Sequence, residues 1–209
     1  NFLIPIVKGW NTEQANEITS LGVQVHGGMG FIEETGAAQY YRDAKILTIY
    51  EGTTAIQAND LVGRKTYRDA GAVAKHFIAQ VRATEAELLA TDDANLKAIA
   101  LQLAIGAQAM EEVVDFVVVN FKADIKAVFS GSVPYLKLSG VVLGGWQMAR
   151  AALIAQAKLQ SGEGDASFNQ AKVATARFFA DHVLSAAQGL RTSIVDGSAG
   201  VMALTEEQF

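Results

Sequence analysis

From Gln24 to Gln57 the chain reads QVHGGMGFIEETGAAQYYRDAKILTIYEGTTAIQ, and the reading of this stretch decides the fold. A helical run reaches Val25, and His26-Gly27-Gly28-Met29-Gly30 breaks it, because adjacent glycines reach backbone angles that a helix does not use. Gln24–Gly30 is therefore predicted to form an exposed loop joining two helices. The second helix is expected from near Glu33 to about Arg42, while Asp43 to Ile49 is ambiguous by pattern alone. Gly52 punctuates the chain again, and Thr53 has the side chain of an N-cap for a helix through Leu61. Glu51 falls just before that helix start.

Upstream, a first helix is expected from about Pro5 to Val25, with proline in the first turn, where its missing N–H costs little. Downstream of Gly63 the periods lengthen. Leu96, Ile99, Leu103, Ala107, Met110, Val114, Val117 and Phe121 recur at steps of three and four and share one helical face. Gly131-Ser132-Val133-Pro134 predicts a turn before a helix from about Tyr135 to Gln160, and Ser161 to Asp165 predicts another. There is no alternating strand pattern of useful length and no repeat at a solenoid period. The fold class is all-α, with a boundary near residues 64–70 that separates a helical domain (1–66) from an additional helical bundle (67–209). Short connections favour antiparallel neighbours in that bundle. Its own core is expected to hold Leu103, Met110, Val114, Val117, Leu143, Phe178 and Val183. Gly144 and Gly145 sit in mid-helix at a cost of ~1 kcal/mol each relative to alanine. At least one of them is expected to face a neighbouring helix.

Composition narrows the function classes. Half of the 209 residues are hydrophobic and 19% are charged, a globular balance. A net charge of −5 argues against a nucleic-acid partner, which needs a concentrated positive field. The chain has no cysteine, which excludes disulfides, thiol catalysis and cysteine metal sites, and fits a cytoplasmic location. The apolar run from Val141 to Ala157 is interrupted by Gln147, Arg150 and Gln156. It falls short of the ~20 residues that cross a bilayer and reads as a buried helix, not a membrane span. Asn1 opens the chain with no charged leader behind it, as in a chain that begins inside a longer polypeptide or one that has been trimmed.

Taken alone, a glycine pair after a helix is an ordinary C-terminal stop, and a glutamate before glycine is an ordinary solvated turn residue. Order and spacing add to this, together with Tyr41-Arg42-Asp43-Ala44-Lys45 between the two. The run resembles the C-terminal helical domain of the acyl-CoA dehydrogenases: three motifs stand in the family's order at the family's spacing. The close resemblance covers roughly Ile4 to Arg64. The remainder resembles, more loosely, the extra C-terminal helical domain of the larger members, including those acting on methylthio-substituted propanoyl-CoA.

The resemblance implies that Glu51 is the base that takes the α-proton of an acyl-CoA in a reaction forming the trans-2-enoyl thioester, with FAD receiving the hydride. Tyr50 and Gly52 would line the substrate pocket, a place Tyr50 shares with the plainer role of a packed aromatic. Thr53 would hydrogen-bond the flavin dinucleotide, compatibly with capping a helix. Gln24, His26, Gly27 and Gly28 would contact the adenosine-diphosphate part of FAD in the neighbouring subunit, His26 through its backbone. Ala55 departs from the pattern, standing where many members carry a polar residue able to reach the flavin. Arg42 and Asp43 are expected to pair internally, and no metal is implied. The implied partners are an acyl-CoA substrate, an electron-transfer flavoprotein and further copies in a homo-dimer or tetramer. An acyl-CoA oxidase and a non-catalytic helical interaction module are the alternative readings. The family's N-terminal helical and middle β-domains are not detectable in this sequence. The stretch alone is therefore expected to be inactive, with Glu51 largely exposed to solvent.

Overall fold

A computed structural model describes residues 1–201 and 203–208 and contains α-helices joined by tight turns, with no strand among the described residues. The first segment holds α1 (Leu3–His26), α2 (Gly28–Phe31), α3 (Ala37–Ile46) and α4 (Thr54–Asp60). A π-helical turn, Leu61–Thr66, leads into the second segment. That segment holds α5 (Ala72–Leu89), α6 (Ala94–Asn120), α7 (Ile125–Ser130), α8 (Ser132–Ser161), α9 (Ala166–His182), α10 (Ala187–Val195) and α11 (Ser198–Val201).

Local chemistry sets several of these ends. Asp93, Asp124 and Asp165 precede α6, α7 and α9, and each carboxylate accepts hydrogen bonds from N–H groups of the first turn that would otherwise lack a partner. Gly162 closes α8 in the left-handed region, at φ +73°, where a side chain would be strained.

Two expectations near the glycines are corrected. Gln24–Gly30 is not a loop: α1 runs through His26, Gly27 alone turns the corner at φ +62°, and α2 begins at Gly28. One left-handed glycine is enough to redirect a helix, so the second has no backbone break to make. The next helix starts later than Glu33. Glu33–Thr35 is a single 3-10 turn ended by Gly36 at φ +77°, and α3 then extends to Ile46, taking in part of the ambiguous stretch.

In the second segment α5 folds back on α6: Lys75 pairs with Asp115 at 2.6 Å, and Arg82 pairs with Glu111 at 2.9 Å. Against α5 lies α8, where the Trp146 indole N–H donates to the Thr84 hydroxyl at 2.8 Å. Leu103, Met110, Val114, Val117 and Leu143 are buried as expected, and Val183 is partly buried against them. Phe178 is not in the core. It is 60% exposed, because the buried face of α9 runs through Asn169, Val173, Ala176 and Ala180, and a residue two positions from Ala176 and Ala180 points away from that face.

Both mid-helix glycines of α8 meet a neighbour. A Cβ on Gly144 would stand 3.3 Å from Phe179, and one on Gly145 would stand 2.9 Å from Leu184. Leu184 is met from the other side by Gly106 of α6, at 2.8 Å from an added Cβ. By length and composition alone α8 could cross a bilayer, since an 18-residue window within it has a mean hydropathy of 1.2. More than half of its apolar window is buried within the bundle, including Leu138, Val142, Ala149 and Ala152. It is the central helix of this core.

The bundle does not have a core of its own. One continuous buried cluster takes in Phe2, Ile6, Ala58 and Leu61 from the first segment together with Leu136, Val141 and the α6 face from the second. At the junction the hydroxyls of Thr66 and Tyr135, both wholly buried, lie 2.9 Å apart.

Candidate active site

The expected catalytic residues lie on the turn between α3 and α4. Its entry is set by backbone hydrogen bonds from the Ile49 and Tyr50 N–H groups to the Ile46 carbonyl, at 3.0 and 3.1 Å. Glu51 and Gly52 then adopt left-handed angles in succession, φ +54° and +88°. For Gly52 this costs nothing, and a Cβ there would stand 2.8 Å from the Gln57 amide nitrogen. For Glu51 the angle is a strain of about 1–3 kcal/mol, of the kind that persists only where surrounding contacts enforce it. Thr53 returns to extended angles and caps α4, its hydroxyl accepting from the Ile56 N–H at 3.3 Å. Glu51 lies outside any helix, just before a helix start, and is exposed, as the sequence led us to expect.

The enforcing contacts come from residues that the sequence did not single out. The Lys8 ammonium on α1 donates to the Leu47 carbonyl at 2.6 Å and to the Gly52 carbonyl at 2.9 Å, with the Tyr50 ring face 5.8 Å away. The Gln57 side chain donates to the Glu51 carbonyl at 3.2 Å. Asn16 donates to the Ala44 carbonyl at 3.2 Å, and Glu13 accepts from the Thr54 hydroxyl. No local pattern could have found these, since Lys8 stands 39 and 44 residues from its partners. Among the described residues the Glu51 N–H makes no backbone hydrogen bond within the turn, so it is left free to donate elsewhere.

Tyr50, Glu51, Gly52 and Thr53 are brought together. Gln24, His26, Gly27 and Gly28 are not part of that cluster. They sit at and just past the far end of α1, the first of them sixteen residues beyond Lys8, or about 24 Å along the helix axis at 1.5 Å per residue. All four are exposed, and nothing lies within 4 Å of a Cβ added to Gly27 or Gly28, so their backbone is open to close approach. The expected Arg42–Asp43 pair is corrected. Arg42 bonds Glu33 at 2.8 Å instead, because adjacent helical positions point apart, whereas the 3-10 turn brings Glu33 within reach. Ala55 is exposed and offers no polar group. A cleft lined by Trp10, Glu13, Tyr41, Leu136 and Lys137 touches the turn only at Thr54. Among the described residues there is no cluster of groups that could hold a metal ion.

A helical core with a strained glutamate turn at the start of a capped helix defines a class, and sequence comparison identifies it. Residues 2–66 match the family model described as acyl-CoA dehydrogenase, C-terminal domain, and residues 77–205 match the one described as acetyl-CoA dehydrogenase C-terminal like. The chain belongs to the acyl-CoA dehydrogenase family. It is 51% identical over 195 residues to a 3-methylmercaptopropionyl-CoA dehydrogenase of Ruegeria pomeroyi, a match covering 93% of this chain and 33% of that protein. A broad-specificity linear acyl-CoA dehydrogenase of Mycobacterium tuberculosis is 34% identical over 217 residues, covering 100% of this chain and 35% of that protein. A butyryl-CoA dehydrogenase of Syntrophomonas wolfei is 31% identical over 211 residues, covering 99% and 34%. The chain thus spans about a third of the length of these relatives.

Proposed function

We propose that this chain is the C-terminal part of a flavin-dependent acyl-CoA dehydrogenase, in which Glu51 removes the α-proton of the acyl thioester. The observation that carries this reading is the presentation of Glu51: exposed, held at a left-handed angle, beside a free N–H and a glycine. An α C–H beside a thioester is a weak acid. Its removal needs a base within reach and donors where the enolate charge develops. The carboxylate of Glu51 takes the proton, the backbone N–H of Glu51 donates to the thioester oxygen, and Gly52 leaves room for the acyl chain beside Tyr50. Closing substrate over the turn removes water from the carboxylate and makes it a stronger base.

FAD, when bound, would supply the acceptor for the β-hydrogen, which leaves as hydride as the trans-2-enoyl-CoA forms. The residues present suit a minor share of its binding. The Thr53 hydroxyl retains a proton to donate, and the bare backbone at Gly27 and Gly28 admits a close ligand. The separation of these two groups along α1 supports contacts to different parts of the cofactor or to cofactors of two subunits. With so small a share of the cofactor site, the chain alone is inactive. Electrons pass to an electron-transfer flavoprotein, and the assembled enzyme is a homo-oligomer. An acyl-CoA oxidase would share the first half-reaction, and oxygen consumption by the whole protein separates the two.

The test is Glu51→Gln in the whole flavoprotein. It keeps size and hydrogen bonding, removes basicity, and lowers the rate of flavin bleaching on anaerobic mixing with acyl-CoA by ~10²-fold or more. Bleaching at the wild-type rate assigns the base elsewhere. Failure of the whole wild-type protein to bind flavin or form enoyl-CoA would favour a helical interaction module that has lost catalysis.

A further inference from the structure

We propose that Lys8 is a positioning residue for the Glu51 turn, an inference that rests on the reading of Glu51 as the base. A glutamate held at φ +54° with the next residue at +88° does not hold itself. Something must make the relaxed alternatives worse, and the contacts at the turn show what does. One ammonium, reaching across from α1, takes the Leu47 carbonyl on the way into the turn and the Gly52 carbonyl on the way out. Both are charge-assisted bonds to a group that is partly shielded from water, the setting in which such bonds are strongest. The segment between them is thereby closed into a loop with Glu51 at its exit.

The arrangement is specific to a lysine-like donor. Its partners are two carbonyls and an aromatic face, not a carboxylate. An ammonium has three protons and no acceptor, and so can serve two carbonyls at once. A side chain with no donor at this position would leave both carbonyls to water and remove the bond that fixes the Gly52 peptide. Gln57 would still hold the Glu51 carbonyl from the α4 side, but the outer limb of the turn would be free to swing. Since a base misplaced by about 1 Å loses up to ~10²-fold in rate, holding the turn is a requirement of the chemistry and not only of the fold.

The experiment compares Lys8→Met, Lys8→Gln and Lys8→Arg in the whole flavoprotein by two readings. The first is amide hydrogen exchange across residues 47–54, which needs neither substrate nor flavin. The second is flavin bleaching on anaerobic mixing with acyl-CoA, alongside KM and flavin content. The expected result is exchange at least ~10-fold faster and bleaching ~10- to 100-fold slower for Lys8→Met, at unchanged KM and flavin content. Lys8→Arg, which restores donors to both carbonyls, recovers most of both readings. If Lys8→Met yields little folded protein, the same readings are taken from Lys8→Gln, whose shorter amide cannot serve both carbonyls. Wild-type exchange in the variants overturns the proposal, and so does fast exchange with wild-type bleaching. Glu51→Gln measured in parallel separates the two readings. If that variant bleaches normally, the base is elsewhere, and the exchange data alone decide whether Lys8 holds the turn.

Discussion

Gly140 of α8 leaves the space that the Trp10 indole of α1 occupies: a Cβ added at Gly140 would stand 2.3 Å from the indole Cγ and 2.8 Å from its Cβ. These are the root of the tryptophan side chain, not a flexible tip, so neither helix can yield by turning a rotamer. Gly140→Ala is expected to lower stability by about 1–3 kcal/mol, as overpacking does, despite the gain in helix propensity. A fall in the thermal midpoint checks this, and an unchanged or raised midpoint counts against the contact.

A second contact of small residues involves Leu184, set between Gly106 and Gly145. Here the nearest atoms are the terminal methyls of a leucine, which can turn aside for one carbon but not for four. Gly145→Ala is therefore expected to cost little, and Gly145→Leu about 1–3 kcal/mol or more. Denaturant midpoints of the two variants test the ordering. Equal midpoints would mean that α8 does not approach Leu184 as closely as described.

The fold class was legible in the helical periods, and the start of α4 was legible because its cause is local. Thr53 caps that helix through its own side chain, as its residue type suggested, and the turn ending at Asp165 leads into α9. Other features were not. Gly27 and Gly28 look alike in sequence, and only the path of α2 shows that one of them turns the chain. Phe178 carries the apolar character of a core residue, but the face that α9 buries runs through the small residues Ala176 and Ala180, which carry a weaker apolar signal than the phenylalanine. The Glu51 turn itself was readable, while the reason it holds its shape was not, since the Lys8 contacts depend on α1 returning beside α3 and α4.

The Thr66–Tyr135 hydrogen bond gives the junction between the two segments a dependence on pH. Burial raises the Tyr135 phenol above its ordinary value of 10.0, against the lowering effect of the Thr66 hydroxyl. In the native state the phenol stays neutral where the unfolded chain would ionise, so the stability it contributes is complete below pH 10 and is lost as pH rises beyond it. Unfolding midpoints should therefore fall from pH 10 upward, and less steeply in Tyr135→Phe. That variant leaves the Thr66 hydroxyl buried without its partner, at a cost of about 1–3 kcal/mol at neutral pH, which Thr66→Val in the same background should partly recover. A Tyr135→Phe protein with wild-type alkaline behaviour would place the titrating group elsewhere.

The single core that joins the two segments bears on how such enzymes can be recombined. The boundary between the two family matches, near residues 66–77, looks like a natural place to cut and exchange tails. In three dimensions it is not a seam. A tail moved to another acyl-CoA dehydrogenase would bring Gly140 and Leu136 to a helix with no reason to offer Trp10 and Gly9, and Tyr135 to a chain without Thr66. The exchangeable unit is residues 66–209 together with the inner face of α1, and chimaeras that carry both should fold where those carrying the tail alone do not.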